Sequence, residues 1–329
     1  MADIELSCGL PPGPNFADLA VLAEELGYTR VWIFDSAPFY EDPFVHLALA
    51  ATRTTRIGLA AGVFIPSQRS VMTMASGIAT IARLSGDRFR AAFGTGGTAR
   101  WVLGQKPMAL NALFDYVAAL RGLLAGDTVL VDGRPIRMMH WPGMTASRPV
   151  TVPLWLSVMG PRGVARAHEA ADGVIGPPHP SLPSATMMSG TVLEPGEDPR
   201  STRVLQAVGP WGVIPWHTAY NLGGAEAVDV MPAGAPWRTA LESLAPEGER
   251  HLLTFEGHVT HLPDRDELLL DHLDVEGRTS AGLFMKVGDP AFISNEVARV
   301  AAEGYQEVMY NPSGPDVARE LRAFAEAAL

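Results

Sequence analysis

The chain has 329 residues, 47% of them hydrophobic, with a formal net charge of −11 and a single cysteine, Cys8. The acidic balance, with no basic face to neutralise phosphates, argues against a general nucleic-acid binder, and one cysteine rules out an intrachain disulfide. No uninterrupted apolar run reaches the ~18 residues of a membrane span, and the opening residues hold neither a basic stretch nor an apolar core, so neither a span nor a signal peptide is expected.

Taken in order, Ile4–Leu10 predicts a first strand, ended by Pro11-Pro12-Gly13. Phe16, Leu19, Ala20, Ala23 and Leu26 recur at helical spacing, with Asn15 placed to cap that helix and Gly27 to end it. Arg30–Phe34 is the second strand, Asp35-Ser36-Ala37-Pro38 its loop, and Pro43–Thr52 the next helix. The apolar run Ile57–Ile65, closed by Pro66, is followed by a helix carrying Val71, Met74, Ile78 and Leu84, then by the run Phe89–Phe93 and the loop Gly94-Thr95-Gly96-Gly97. Both runs are too continuously apolar for a one-sided sheet and belong at a buried centre. Ala109–Leu124 is a helix, and Thr128–Val131 with Ile136–Met139 reads as a hairpin about Asp132-Gly133. Val152–Val158 is a strand, Gly160–Gly163 turns into a helix through Ala170, and Val174-Ile175 is a strand. A helix is expected after Ser184 and a strand at Arg203–Val208. The pattern blurs from Pro210 to Leu283, where three tryptophans and many Gly and Pro residues suggest loops and helices over a mouth. Pro290–Glu303 is a helix, Glu307–Tyr310 the last strand and Pro315–Ala328 a closing helix.

This alternation implies a parallel sheet. Closed on itself, it is a (β/α)8 TIM barrel, here one domain over 1–329 with insertions at about 126–150 and 210–285; an open doubly wound sheet is the alternative. In a barrel the site lies at the C-terminal strand ends, which selects Asp35, Gly62–Ile65, Thr95–Gly97 and Ser157–Arg162.

The same stretches resemble the bacterial luciferase-like superfamily, nearest its methylenetetrahydromethanopterin-reductase-like branch. The residues that carry the resemblance are Val31–Asp35, Gly62-Val63 with Pro66 and Arg69, LSGDRF, GTGG, Leu123–Gly133 and Met159–Gly176. The resemblance implies a cofactor, coenzyme F420 or alternatively FMN, held by Asp35, Gly62, Val63, Phe64, Ile65, Thr95, Gly96, Gly97, Arg100, Ser157, Val158, Met159, Gly160, Pro161, Arg162, Gly176 and Pro177. In F420-dependent relatives a non-prolyl cis peptide matches Gly62-Val63, the loop at Gly94–Gly97 lies along the ribityl chain, and the Gly160–Gly163 turn approaches the phosphate. A helix start there would favour an anion, and Arg162 could add a charge-assisted contact. Asp35 matches an acid near the reactive edge of the ring. Some sugar-phosphate dehydrogenase relatives have a His and a Glu where this chain has Ser36 and Gly97, which leaves the proton donor unassigned among Asp35, Tyr40 and a pocket-lining His258.

The activity so implied is hydride transfer between the deazaflavin C5 and a C=C or C=N bond of a small molecule. An FMN-dependent monooxygenase and a non-catalytic flavin-binding barrel are the alternatives. His251, His258 and His261 invite a metal reading, but Gly257 and Pro263 interrupt the helix that would align them, so no metal is expected. No nucleophile elbow or Walker loop is present. A cytoplasmic protein is expected from the lack of a signal or span, and the resemblance implies a homodimer packed through the second and third barrel helices, where Val71, Met72, Met74 and Ile78 are more than one core face needs.

Overall fold

The computed structural model describes residues 4–275 and 285–329. The chain runs β1 (Glu5–Leu10), α1 (Phe16–Leu26), β2 (Arg30–Ile33), α2 (Pro43–Arg53), β3 (Gly58–Phe64), α3 (Val71–Ser85) and β4 (Phe89–Phe93). It continues through α4 (Thr98–Trp101), α5 (Leu110–Ala125), β5 (Val129–Val131), β6 (Arg134–Ile136), β7 (Leu154–Ser157), α6 (Pro161–Arg166), β8 (Gly173–Ile175) and β9 (Ser184–Val192). Four helices follow, α7 (Thr202–Gly212), α8 (Ile214–Val228), α9 (Gly234–Leu244) and α10 (Arg250–Thr254), then β10 (Met285–Gly288), α11 (Pro290–Ala302), β11 (Glu307–Asn311) and α12 (Val317–Ala328).

Nine strands form one sheet in the order β10-β9-β11-β1-β2-β3-β4-β7-β8, and β8 pairs in turn with β9. Eight parallel strands therefore close into a barrel, with β10 added on the far half of β9. The fold is a (β/α)8 barrel. One side-chain phase of the strands meets the surrounding helices and forms the main core, including Leu59, Ala61, Phe89, Ala91, Leu154 and Leu156. The opposite phase fills the barrel interior with Trp32, Ala60, Ala92, Trp155, Ile175, Ala185 and Met309. Seven of the eight barrel strands lie where the apolar runs put them, within one or two residues.

Four expectations are corrected. Ser184–Val192 is a barrel strand, not the start of a helix, and Thr202–Gly212 is a helix over the expected strand Arg203–Val208. The hairpin's second strand is Arg134–Ile136 rather than 136–139, because Asp132 and Gly133 both adopt positive φ in a two-residue turn. Asn15 makes no side-chain cap, whereas Gly27 ends α1 at φ 92° as expected. The expected insertion from 210 to 285 contains the end of α7, α8–α10 and a 3-10 stretch, Asp264–His272, that build a second apolar cluster around Trp216, Trp237 and Leu241; residues 276–284 of it, Leu283 included, lie outside the described residues. Among the described residues no helix is long and apolar enough to cross a membrane.

The apolar surplus assigned to α3 is not a surplus. Val71, Met74 and Ile78 are buried in the chain's own core, and Met72 is half-buried against it. The exposed apolar side chains of this flank are Val45 and Leu49 on α2 and Met139, Trp141 and Met144 in the loop after β6.

Candidate active site

A cavity of about 750 Å³ opens at the C-terminal ends of β2, β3, β4 and β7, a size that suits a small-molecule or cofactor site. Its wall contains Asp35, Tyr40, Gly62, Val63, Ile65, Thr95, Gly96, Gly97, His258 and the whole run Ser157–Arg162. Thus most of the residues selected from strand ends and resemblance come together in one place. Phe64, Arg100, Gly176 and Pro177 are not on this wall. Phe64 turns into the core and stacks on Phe44 at 4.9 Å, the Arg100 guanidinium donates from Nε to the Lys106 carbonyl at 2.6 Å, and Gly176 packs behind β7, where an added Cβ would strike the Val158 carbonyl oxygen.

Four elements shape the cavity. After β2 the chain turns into Asp35, whose side chain is fully buried. Its Oδ2 accepts from Arg69 Nη1 at 2.6 Å and from the Ile65 N–H at 3.4 Å, while its Oδ1 is buried with no partner. Arg69 also donates to Asp42 Oδ2 at 2.9 Å and lies against both the Phe44 and Phe64 rings. Burial pushes the Asp35 carboxyl above its ordinary value, against the opposite pull of the Arg69 charge and hydrogen bond. At the end of β3 the Gly62–Val63 peptide is cis, and the register against β4 shifts between Ala61 and Phe64. Glycine at 94 lets the Val63 side chain lie against the end of β4, since a Cβ there would stand 2.8 Å from Val63 Cγ2.

At the far end, β7 leads into Ser157–Arg162. The helix α6 is only six residues long, and its Gly163 and Val164 N–H groups donate back to the Gly160 carbonyl. The exposed Arg162 side chain is the single cation on the cavity wall among the described residues. The fourth element folds in from the long insertion. The Tyr40 hydroxyl donates to the His258 carbonyl at 2.6 Å, and the His258 ring lies 5.7 Å from both Phe39 and Phe255. Burial, with His217 adding to it, pushes the imidazole down to about 3, so His258 is uncharged at neutral pH. Burial likewise raises the Tyr40 hydroxyl. Among the described residues no group of three or more His, Cys, Asp or Glu side chains is placed to hold a metal ion.

Sequence reasoning did not name Phe34, Met187, Trp211 or Val259, which also line the wall, as do Thr98, Ala99 and Leu110. Phe34 flanks Asp35 and follows from the strand-end rule applied one position wider. Trp211 and Val259 come from the insertion, whose path has no local signal. Arg69 belongs to the quoted pattern, but its role toward Asp35 needs the turn of the chain after β3.

A sequence model described as luciferase-like monooxygenase matches residues 5–188, more than half of the chain. The chain belongs to that family. Within this luciferase-like family, it is 30% identical over 200 residues to 5,10-methylenetetrahydromethanopterin reductase of Methanolobus tindarius, covering 59% of this chain and 60% of that one. The chain thus spans less than two thirds of the length of the curated relatives it matches. Its fold is shared with the coenzyme F420 dependent tetrahydromethanopterin reductase of Methanopyrus kandleri, at TM-score 0.66 and 15% identity over 99% of both chains. It is shared too with an F420-dependent secondary alcohol dehydrogenase in complex with an F420-acetone adduct, at TM-score 0.67 and 16% identity over 99% of this chain and 98% of that one.

Proposed function

We propose that the protein is an F420-dependent oxidoreductase acting on an unsaturated bond of a small molecule. The observation that carries this reading is Asp35. A carboxylate buried in a cavity wall, with one oxygen fixed by Arg69 and Ile65 and the other bare, is a group arranged to meet a ligand atom. The residues fit a deazaflavin: Val63 and Ile65 offer apolar surface, Thr95–Gly97 and Ser157–Val158 line the same cavity, and the exposed Arg162 could meet a phosphate. The names of the relatives support the choice of cofactor. When bound, the deazaflavin supplies the hydride chemistry. The chain's share is to hold reactants in register, to exclude water with the 255–263 turn, and to keep a proton at Asp35, whose raised carboxyl suits it as acid or base.

Titration of the protein with F420 and with FMN, followed by turnover of C=C and C=N substrates, tests this reading. Binding of F420 near or below 1 μM, equivalent to about −8 kcal/mol, with no binding of FMN, is the expected result. Binding of FMN alone moves the reading to a flavin-dependent monooxygenase. Tight binding with no turnover of any substrate leaves a non-catalytic barrel.

A cytoplasmic homodimer belongs to the same proposal. Val45 and Leu49 on α2 stand beside a cleft of about 570 Å³ between α2, α3 and His140, an apolar flank that a second copy would cover. Sedimentation at micromolar concentration should give twice the chain mass, and Leu49→Asp should return it to one; a monomeric wild type would reject the dimer.

A further inference from the structure

Beyond Asp35, two cavity-lining residues carry side-chain nitrogens that are buried and have no partner: Trp211 Nε1 on α7 and His258 Nδ1 in the turn after α10. An indole N–H can only donate, so it needs an acceptor that the protein does not provide. Both residues belong to the side of the cavity formed by the insertion, where the neighbouring wall is Phe34, Met187 and Val259. The rim cation Arg162 comes from a different element, α6 after β7.

This part of the wall is held firmly. The Tyr40 hydroxyl grips the His258 carbonyl, and the Gly314 N–H donates to the Thr260 carbonyl at 3.2 Å. Between these two clasps Val259 adopts φ 53°, a left-handed conformation that is an outlier for a β-branched residue. Such strain persists where the surroundings over-determine it, often at ligand sites. A preformed apolar wall with one or two bare donors selects for shape and for one acceptor. It penalises charge, because an anion there loses its hydration beside the Asp35 carboxyl.

We propose that the second reactant is an uncharged molecule with an apolar, ring-sized body and one carbonyl oxygen, and that the Trp211 indole N–H receives this oxygen, with His258 beside it. The inference rests on the oxidoreductase reading for calling this molecule a reactant, but its test does not depend on the cofactor.

Calorimetric binding of three probes, to the protein alone and to protein supplied with oxidised F420, decides it. The probes are 1-tetralone, its hydrocarbon isostere 1-methylenetetralin, and the anion 1-naphthoate. Tetralone should bind about fivefold tighter than the isostere, as a single neutral hydrogen bond permits, and naphthoate weakest. Trp211→Phe, which keeps an aromatic ring and removes the N–H, should bring tetralone and the isostere to equal affinity. Equal binding of those two by wild type, preference for naphthoate, binding of none of the three, or a preference unchanged by Trp211→Phe would overturn the proposal. If Trp211→Phe does not fold by circular dichroism, the wild-type ratio alone decides. Failure of F420 to bind while these preferences hold counts against the proposed function and not against this assignment.

Discussion

Two buried carboxylates mark the two ends of the barrel. Glu307, at the start of β11, sits at the floor. Its Oε1 accepts from Trp32 Nε1 at 2.7 Å, and its Oε2 accepts from Arg30 at 2.9 Å and Arg90 at 2.8 Å. Arg90 also lies 4.1 Å over the Trp155 ring, and burial lowers its guanidinium below the ordinary value. Asp35, at the mouth, has one oxygen held and one bare. Both groups are almost fully excluded from solvent. They differ in whether their hydrogen-bonding capacity is used up inside the chain. A carboxylate with partners on both oxygens closes the floor, while the one at the mouth keeps an oxygen without a partner in the chain.

The sharpest way to break this comparison is to neutralise each acid in turn. Glu307→Ala leaves two guanidinium groups facing each other in the floor and should destabilise the fold by about 3–5 kcal/mol, read from urea unfolding. Asp35→Asn should cost only about 1–2 kcal/mol of stability, since Arg69 keeps Asp42. It should nevertheless lower turnover at least ~100-fold. Similar stability losses for the two variants would erase the distinction.

Gly94→Ala tests the mouth without touching a charge. Its Cβ would press on Val63 Cγ2 from 2.8 Å, and the displaced valine can move only toward the cavity. F420 affinity should fall at least tenfold, about 1.4 kcal/mol, in a fluorescence titration. Arg162→Ala should weaken F420 by about tenfold yet leave a phosphate-free deazaflavin unaffected. Equal losses for both ligands would remove Arg162 from the phosphate end.

The smallest effect concerns pH. The His258 imidazole titrates near 6.5 when unfolded and at about 3 when folded. Between those values the unfolded chain binds more protons, so this group subtracts stability as pH falls below 6.5. The urea midpoint of wild type should therefore drop more between pH 7 and pH 5 than that of His258→Gln. Identical drops would mean that the imidazole is not shielded.

How much of this was legible in the residues depends on where the physical signal lay. β1, β3, β4 and β7 are apolar runs bounded by Gly or Pro, and such runs announce a buried strand. β9 reads SATMMSGTV and does not. Its hydroxyls are spent inside the fold, Ser184 on the Leu182 carbonyl and Thr191 as the acceptor for Arg203 and Arg319, so a buried strand carries a polar sequence. The segment after it contains β-branched residues but is a helix, because Ser201 accepts from the Val204 N–H and starts it. The same division runs through the site. Residues at strand ends could be named from position, whereas Trp211 and Val259 reach the cavity by a fold-back of the long insertion. Arg69 lies 34 residues after Asp35, and no spacing rule joins them.

The seam at β11 has a consequence for how the molecule is made. Glu5 pairs with Glu307, and β11 is wedged between β1 and β9. A chain synthesised from its N-terminus therefore carries two unsatisfied sheet edges until β11 emerges. Contacts of such sequence separation make closure slow, and open edges invite pairing with other chains. The ring is sealed by a strand made long after β1, so a chain that lacked β11 would be not a smaller barrel but a sticky, open ribbon.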